Sequence, residues 1–202
     1  MATNRNPPAT GFARRRQAII ISAAVAGLGV LVFLVTRHRQ LAPPSSETHR
    51  SKLEWRAGRW YRPGQTNGFT GVLLDTYDDG TKKARSTVAN GELEGRSEGW
   101  YTNGQLQVVE YFVAGISHGV RSKWHPNGQR LSEVTIVNGK LEGRFRRWHE
   151  DGTLAEEVEL ADGKPEGISR AYYPSGFVKT EARLRAGQLI EQKSWPDGEF
   201  SR

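Results

Sequence analysis

The sequence predicts an all-β chain: an open, twisted antiparallel sheet of tandem 24-residue β-hairpins, preceded by one transmembrane helix. Three observations carry this. Three rows of glycine recur in one register, turn dipeptides fall between short strand-like runs with no helical stretch among them, and one uncharged apolar segment stands near the N-terminus.

The basic N-terminal segment, 1–17, leads into that apolar run. Ala18 to Thr36 reads AIIISAAVAGLGVLVFLVT, nineteen residues without a charge, Pro, Asn or Gln. As a helix it spans about 28 Å, close to the roughly 30 Å hydrocarbon core of a bilayer. Arg14–Arg16 bound it on one side, Arg37 and Arg39 on the other. A cleaved signal peptide is the competing reading, but its apolar region typically runs about 7–15 residues and ends in a small-x-small site. Here Arg37 and Arg39 follow instead, with Pro43 just after Ala42. The segment reads as a retained anchor, and the denser arginine on its N-terminal side predicts a cytoplasmic N-terminus with the repeats outside. Residues 37–58, rich in Pro, Ser and charge at their centre, read as a flexible linker.

The net charge of +7 raises nucleic acid as a partner. Its distribution removes the case. Of 29 Lys and Arg, eight lie in residues 1–52 beside a single acid, Glu47; the remaining 150 residues hold 21 of each sign and are neutral. Binding to a phosphate backbone needs a positive surface, so no nucleic acid is expected. With no Cys, a disulfide framework, a thiolate metal site and a cysteine nucleophile are all excluded.

From 59 to 202 the repeats take over. Gly71, Gly95, Gly119, Gly143 and Gly167 are spaced by 24 and mark the unit starts; so are Gly80, Gly104, Gly128, Gly152 and Gly176, and so are Gly91, Gly115, Gly139, Gly163 and Gly187. In step with them run Trp100, Trp124, Trp148 and Tyr172, then Tyr77, Tyr101, His125, His149 and Tyr173. An apolar row, Val88, Phe112, Ile136, Leu160 and Leu184, follows. Asp79-Gly80, Asn103-Gly104, Asn127-Gly128, Asp151-Gly152 and Ser175-Gly176 read as tight hairpin turns, because Gly and Asn or Asp tolerate positive φ. The second turn reads as wider, clearest in the stretch from Asn138-Gly139 through Gly143. Each unit is then a strand of about seven residues, a tight turn, a strand of about nine and a wider turn. If Asp151-Gly152 is a two-residue loop, Arg147 faces Glu156, Arg146 faces Glu157 and Arg144 faces Glu159, and Arg170 similarly faces Glu181. Such pairs contribute roughly 0.2–1 kcal/mol each and matter more for register than for stability. End units should be irregular. Asn67-Gly68 falls one residue late, and Trp195 and Gly198 close a shortened last unit.

Gly95-Arg96-Ser97-Glu98-Gly99-Trp100-Tyr101-Thr102-Asn103-Gly104-Gln105-Leu106, together with Asn138-Gly139-Lys140-Leu141-Glu142-Gly143, resembles the bacterial variant of the MORN repeat. The entry segment, Trp60-Tyr61 followed by Asn67-Gly68-Phe69-Thr70-Gly71, is similar to the start of YwqK-type antitoxins. The resemblance covers about 59–198. It implies an open hairpin sheet and a role in binding.

No catalytic constellation, cofactor site or metal site stands out from the repeat. His125 and His149 replace Tyr in an aromatic row two strands apart, about 10 Å and too far to share one ion. The Gly rows never give the phosphate-loop pattern opening a helix. The row Trp100, Trp124, Trp148 and Tyr172 forms an aromatic stripe on one face, either the packing ladder between hairpins or a contact for a partner. Tyr101, His125, His149 and Tyr173 line the alternative face. The expected function is a membrane-anchored, non-enzymatic interaction scaffold for a protein partner. An antitoxin-like or immunity-like inhibitor acting at the membrane is the alternative, and lipid headgroups are a weaker candidate ligand.

Overall fold

Alternation of apolar and polar residues sets the strands of this protein, and positive-φ residues set where they reverse. The computed structural model describes residues 47–199. The anchor expected at Ala18–Thr36 lies outside them. Among the described residues no helix is long and apolar enough to cross a membrane. The chain enters at β1 (Glu47–His49), makes a 3-10 turn (Arg50–Lys52), and forms a small hairpin of β2 (Glu54–Arg56) and β3 (Arg59–Tyr61). The main run is β4 (Gly71–Thr76), β5 (Lys82–Ala89), β6 (Glu92–Trp100), β7 (Leu106–Val113), β8 (Ile116–Ser117) and β9 (Gly119–Trp124). It continues with β10 (Arg130–Val137), β11 (Lys140–Trp148), β12 (Leu154–Ala161), β13 (Lys164–Tyr172), β14 (Val178–Arg185) and β15 (Gln188–Ser194). From β4 onward every neighbour is antiparallel and in chain order, with β8 a short mate of β7. This is the tandem-hairpin sheet the glycine rows require.

Residues 47–58 depart from the expected linker. β1 pairs in parallel with β4, and Thr48 is buried with its hydroxyl accepting from Arg62. Three residues are too short to show a strand period, so composition alone reads this segment as tether.

Turn lengths are the reverse of the expectation. Asn138 and Gly139, both at positive φ, form a two-residue loop closed by the Val137–Lys140 pair, so the turn that looked wider is the tight one. The Asp151-Gly152 turn is longer. The Gly152 amide donates to the His149 carbonyl and the His149 amide to the Thr153 carbonyl, which leaves three residues in the loop. Its acid braces it: Thr153 donates its hydroxyl to Asp151 at 2.6 Å, and that bond and the Thr153 amide hold the carboxyl below its ordinary pKa.

A three-residue loop should have shifted every cross-strand pair by one. It does not, because β12 bulges at Ala155 just beyond the turn and restores the register. Arg147 faces Glu156, Arg146 faces Glu157 and Arg144 faces Glu159, and Arg170 faces Glu181. The pairs are right although the turn that implied them is not.

Of the Gly143 row, Gly95, Gly143 and Gly167 sit inside strands, while Gly71 and Gly119 begin them. Between Glu133 and Thr135 the chain takes two steps along β10, against four along β11 from Arg146 to Glu142. Gly143, at φ +68, absorbs the excess. The bulge holds the next hairpin. The Leu141 carbonyl accepts the Gly163 amide at 2.9 Å, and the Glu142 carboxylate accepts the Asp162 amide at 2.9 Å. The same stitch recurs at Leu93 and Glu94 on Gly115 and Ala114, and at Pro165 and Glu166 on Gly187 and Ala186. This is the physical content of the Leu-Glu-Gly signature: it locks the following tight turn.

One face of the sheet carries both hydrophobic clusters. Val134, Ile136, Val158 and Leu160 are buried there, with Leu141 and Phe145 packed against them. A second cluster, Phe69, Leu73 and Val88, closes the N-terminal end under Leu53, Trp60 and Leu93.

Candidate functional site

Consecutive strand residues point to opposite faces, so the face away from the core can be read off the register. Along β9 to β15 its middle row runs Ser122, Glu133, Arg146, Glu157, Arg170, Glu181 and Lys193, each the cross-strand neighbour of the next. From Glu133 onward the sign alternates. Arg170 donates to Glu181 at 2.8 Å, while Arg146 approaches Glu157 at 4.0 Å.

The aromatic stripe borders this ladder. Arg130, which also bonds Glu133 and Ser122, lies over both the Trp124 ring (5.6 Å) and the Trp148 ring (5.9 Å). Lys82 lies over Trp100 at 4.7 Å. Tyr172 donates its hydroxyl to Glu157 at 3.0 Å; burial, then that bond, pushes the phenol above its ordinary pKa. All four aromatics are half-buried. Cations lie over the faces of the Trp100, Trp124 and Trp148 rings, yet their indole N–H groups have no hydrogen-bond partner among the described residues.

The neighbouring row is engaged internally. Tyr77 donates to the Trp100 carbonyl at 2.7 Å and Tyr101 to the Trp124 carbonyl at 2.9 Å. His125 Nε2 meets the Trp148 carbonyl at 3.0 Å, His149 Nε2 the Tyr172 carbonyl at 3.0 Å, and Tyr173 donates to the Trp195 carbonyl at 3.1 Å. His substitutes for Tyr because each ring puts a donor at its far end. Tyr101, His125, His149 and Tyr173 are therefore clamps between hairpins, with their polar tips already satisfied. Among the described residues no group of His, Asp or Glu is arranged to hold a metal ion.

The turn glycines Gly80, Gly104, Gly128, Gly152 and Gly176 all adopt positive φ, as their turn role requires. A further patch lies outside the repeat rows. Tyr111, Val113, Ile116, Val120 and Val137 are 39–53% exposed on β7 to β10 and share the face of the charge ladder. Strand alternation there could have marked it, since these are the apolar residues out of phase with the core row. An open cleft of about 370 Å³ lies at the C-terminal end, lined by Ile168, Arg183, Leu184, Arg185 and Ile190 among others. Among the described residues no further hairpin covers it.

The MORN repeat variant model matches residues 93–114, 117–138 and 141–162. Each match starts at the stitching bulge and ends on the first residue of the next tight turn. No curated protein matches the chain. Among solved structures, TarM is similar with a TM-score of 0.32 at 15% identity, covering 48% of this chain and 19% of that one. A mutant of S. aureus TarM in complex with Fondaparinux, alpha-GlcNAc-glycerol and UDP gives a TM-score of 0.32 at 16% identity over the same shares. This chain thus spans about a fifth of the length of those proteins. Three tandem segments within residues 93–162 thus match the MORN repeat variant.

Proposed function

We propose that this protein is a membrane-anchored, non-catalytic scaffold that captures a protein partner on the face carrying Trp100, Trp124, Trp148 and Tyr172. The observation that carries the reading is the half-buried indole row, whose N–H donors have no partner among the described residues and which borders a charge ladder with an exposed apolar patch on the ladder's far side. Such a face offers apolar area, cation-backed aromatic rings and free donors together. Rings on a paired strand lose little entropy on binding, and aromatics dominate interface energetics. The Tyr and His row offers no such free donors.

Capture of the partner by crosslinking from solubilised membranes tests this. Trp124→Ala should abolish capture, with the sheet still folded by circular dichroism. Unchanged capture by a folded Trp124→Ala protein would refute the stripe as the contact. The anchor rests on the length and arginine flanks of Ala18–Thr36. Alkaline phosphatase fused after Arg202 should be active in cells, as a repeat domain outside the cytoplasm requires. A fusion that is active only as a cytoplasmic fluorescent protein would reverse the orientation.

A further inference from the structure

We propose that the free edge of β15 pairs antiparallel with the same edge of a second copy of this chain, in the register that sets Gln192 against Gln192. Among the described residues β15 ends the sheet order and pairs only with β14, and it is exposed along its whole length. Within the array such an edge is taken by the next hairpin, and the last unit lacks one of the bonds that would hold it. At the position where Thr70, Glu94, His118, Glu142 and Glu166 accept the amide of the following tight turn, the last unit has Ile190, which carries no acceptor. A further hairpin in the same sense would find no side-chain acceptor for its turn amide. At the opposite end of the sheet, β1 occupies the edge of β4 in parallel. Head-to-tail extension is therefore disfavoured, and a closed twofold pair remains.

Backbone and charge select the same register. The Trp195 amide donates to the Lys179 carbonyl at 3.0 Å, so this pair is hydrogen-bonded. Hydrogen-bonded pairs alternate along an antiparallel ladder. Residues 191 and 193 therefore turn their backbone groups toward β14, while Gln192 and Ser194 turn theirs outward. A twofold axis perpendicular to the sheet must set outward groups against outward groups on one face. Centred on Gln192, the pairing brings Glu191 of each copy opposite Lys193 of the other. The alternating ladder then runs on across the axis: Arg170, Glu181, Lys193, then the second copy's Glu191 and Arg183. Slipping two residues' worth of register, so that the axis falls on Glu191, opposes Glu191 to Glu191 and costs stability. Charges on an edge usually prevent pairing. Here opposite charges two residues apart make the edge complementary to itself.

The absence of Cys from the sequence makes the test direct. Full-length chains carrying Glu191→Cys and Lys193→Cys, with tags of different size, are reconstituted together and oxidised. The proposal expects the mixed disulfide to form severalfold faster than either homodisulfide, because only the mixed pair is directly opposed within disulfide reach. Adding Gln192→Pro to both chains should abolish it. Pro removes an outward N–H and is tolerated at an edge, so melting should be unchanged. Homodisulfides forming as fast as the mixed one, or a mixed disulfide that survives Gln192→Pro, would overturn the proposal.

Discussion

Gly68→Ala should release the N-terminal cap from the repeat array and cost at least about 3 kcal/mol, at the upper end of overpacking penalties. A Cβ at this position would stand 2.2 Å from the Asn90 carbonyl oxygen and 2.3 Å from its carbon. Neither is a flexible side-chain end; both belong to the backbone of a two-residue turn. That turn is held on the other side as well, by the Gly91 amide on the Phe69 carbonyl at 2.7 Å and the Trp60 amide on the Gly91 carbonyl at 2.9 Å. The turn cannot withdraw without breaking these bonds, so residues 47–70 should lose hydrogen-exchange protection together. Gly104→Ala supplies the contrast. Its φ of +81 strains any side chain, but nothing lies within 4 Å of the added methyl. It should cost about 1–2 kcal/mol. Equal effects at the two positions would mean that the cap does not pack as described.

Ile136→Ala should cost about 3–4 kcal/mol, the usual range for a large aliphatic removed from a packed core. Ile136 is 1% exposed and touches a cluster supplied by two hairpins, including Val158 and Leu160. In a one-layer sheet little else can move in to fill the gap. Val137, the next residue, points to the other face at 41% exposure, and Val137→Ala should change stability by less than about 0.5 kcal/mol. Denaturant melts of the two variants check the assignment of faces directly. A larger loss at 137 than at 136 would invert them.

The period of the array was legible because a stacked hairpin repeats every constraint at a fixed spacing. Three glycine rows and one apolar row suffice to give strand order and direction. Turn type was not legible in the same way. Asp151-Gly152 and Asn138-Gly139 are both turn dipeptides, and only the bulges at Ala155 and Gly143 decide how many residues each loop contains. The cross-strand charges survived that error because bulge and loop compensate. The stripe residues were found from their spacing. That the Tyr and His row clamps carbonyls of the following hairpin was not, since a bond to a backbone oxygen 23 residues away leaves no mark on the identity of its acceptor. Residues 47–49 were missed for a further reason: a three-residue parallel strand has no period to detect.

One face of the sheet carries the hydrophobic clusters, and the other is the proposed binding face. Arg146 and Arg147 are consecutive on β11, similarly exposed, and point to opposite faces: Arg146 stands in the charge ladder, Arg147 beside Glu156 on the core side. A photo-crosslinking phenylalanine analogue placed at each position in turn compares the faces with almost nothing else changed. Partner adducts are expected from position 146 and none from 147. Adducts from 147 alone would contradict binding on the ladder face.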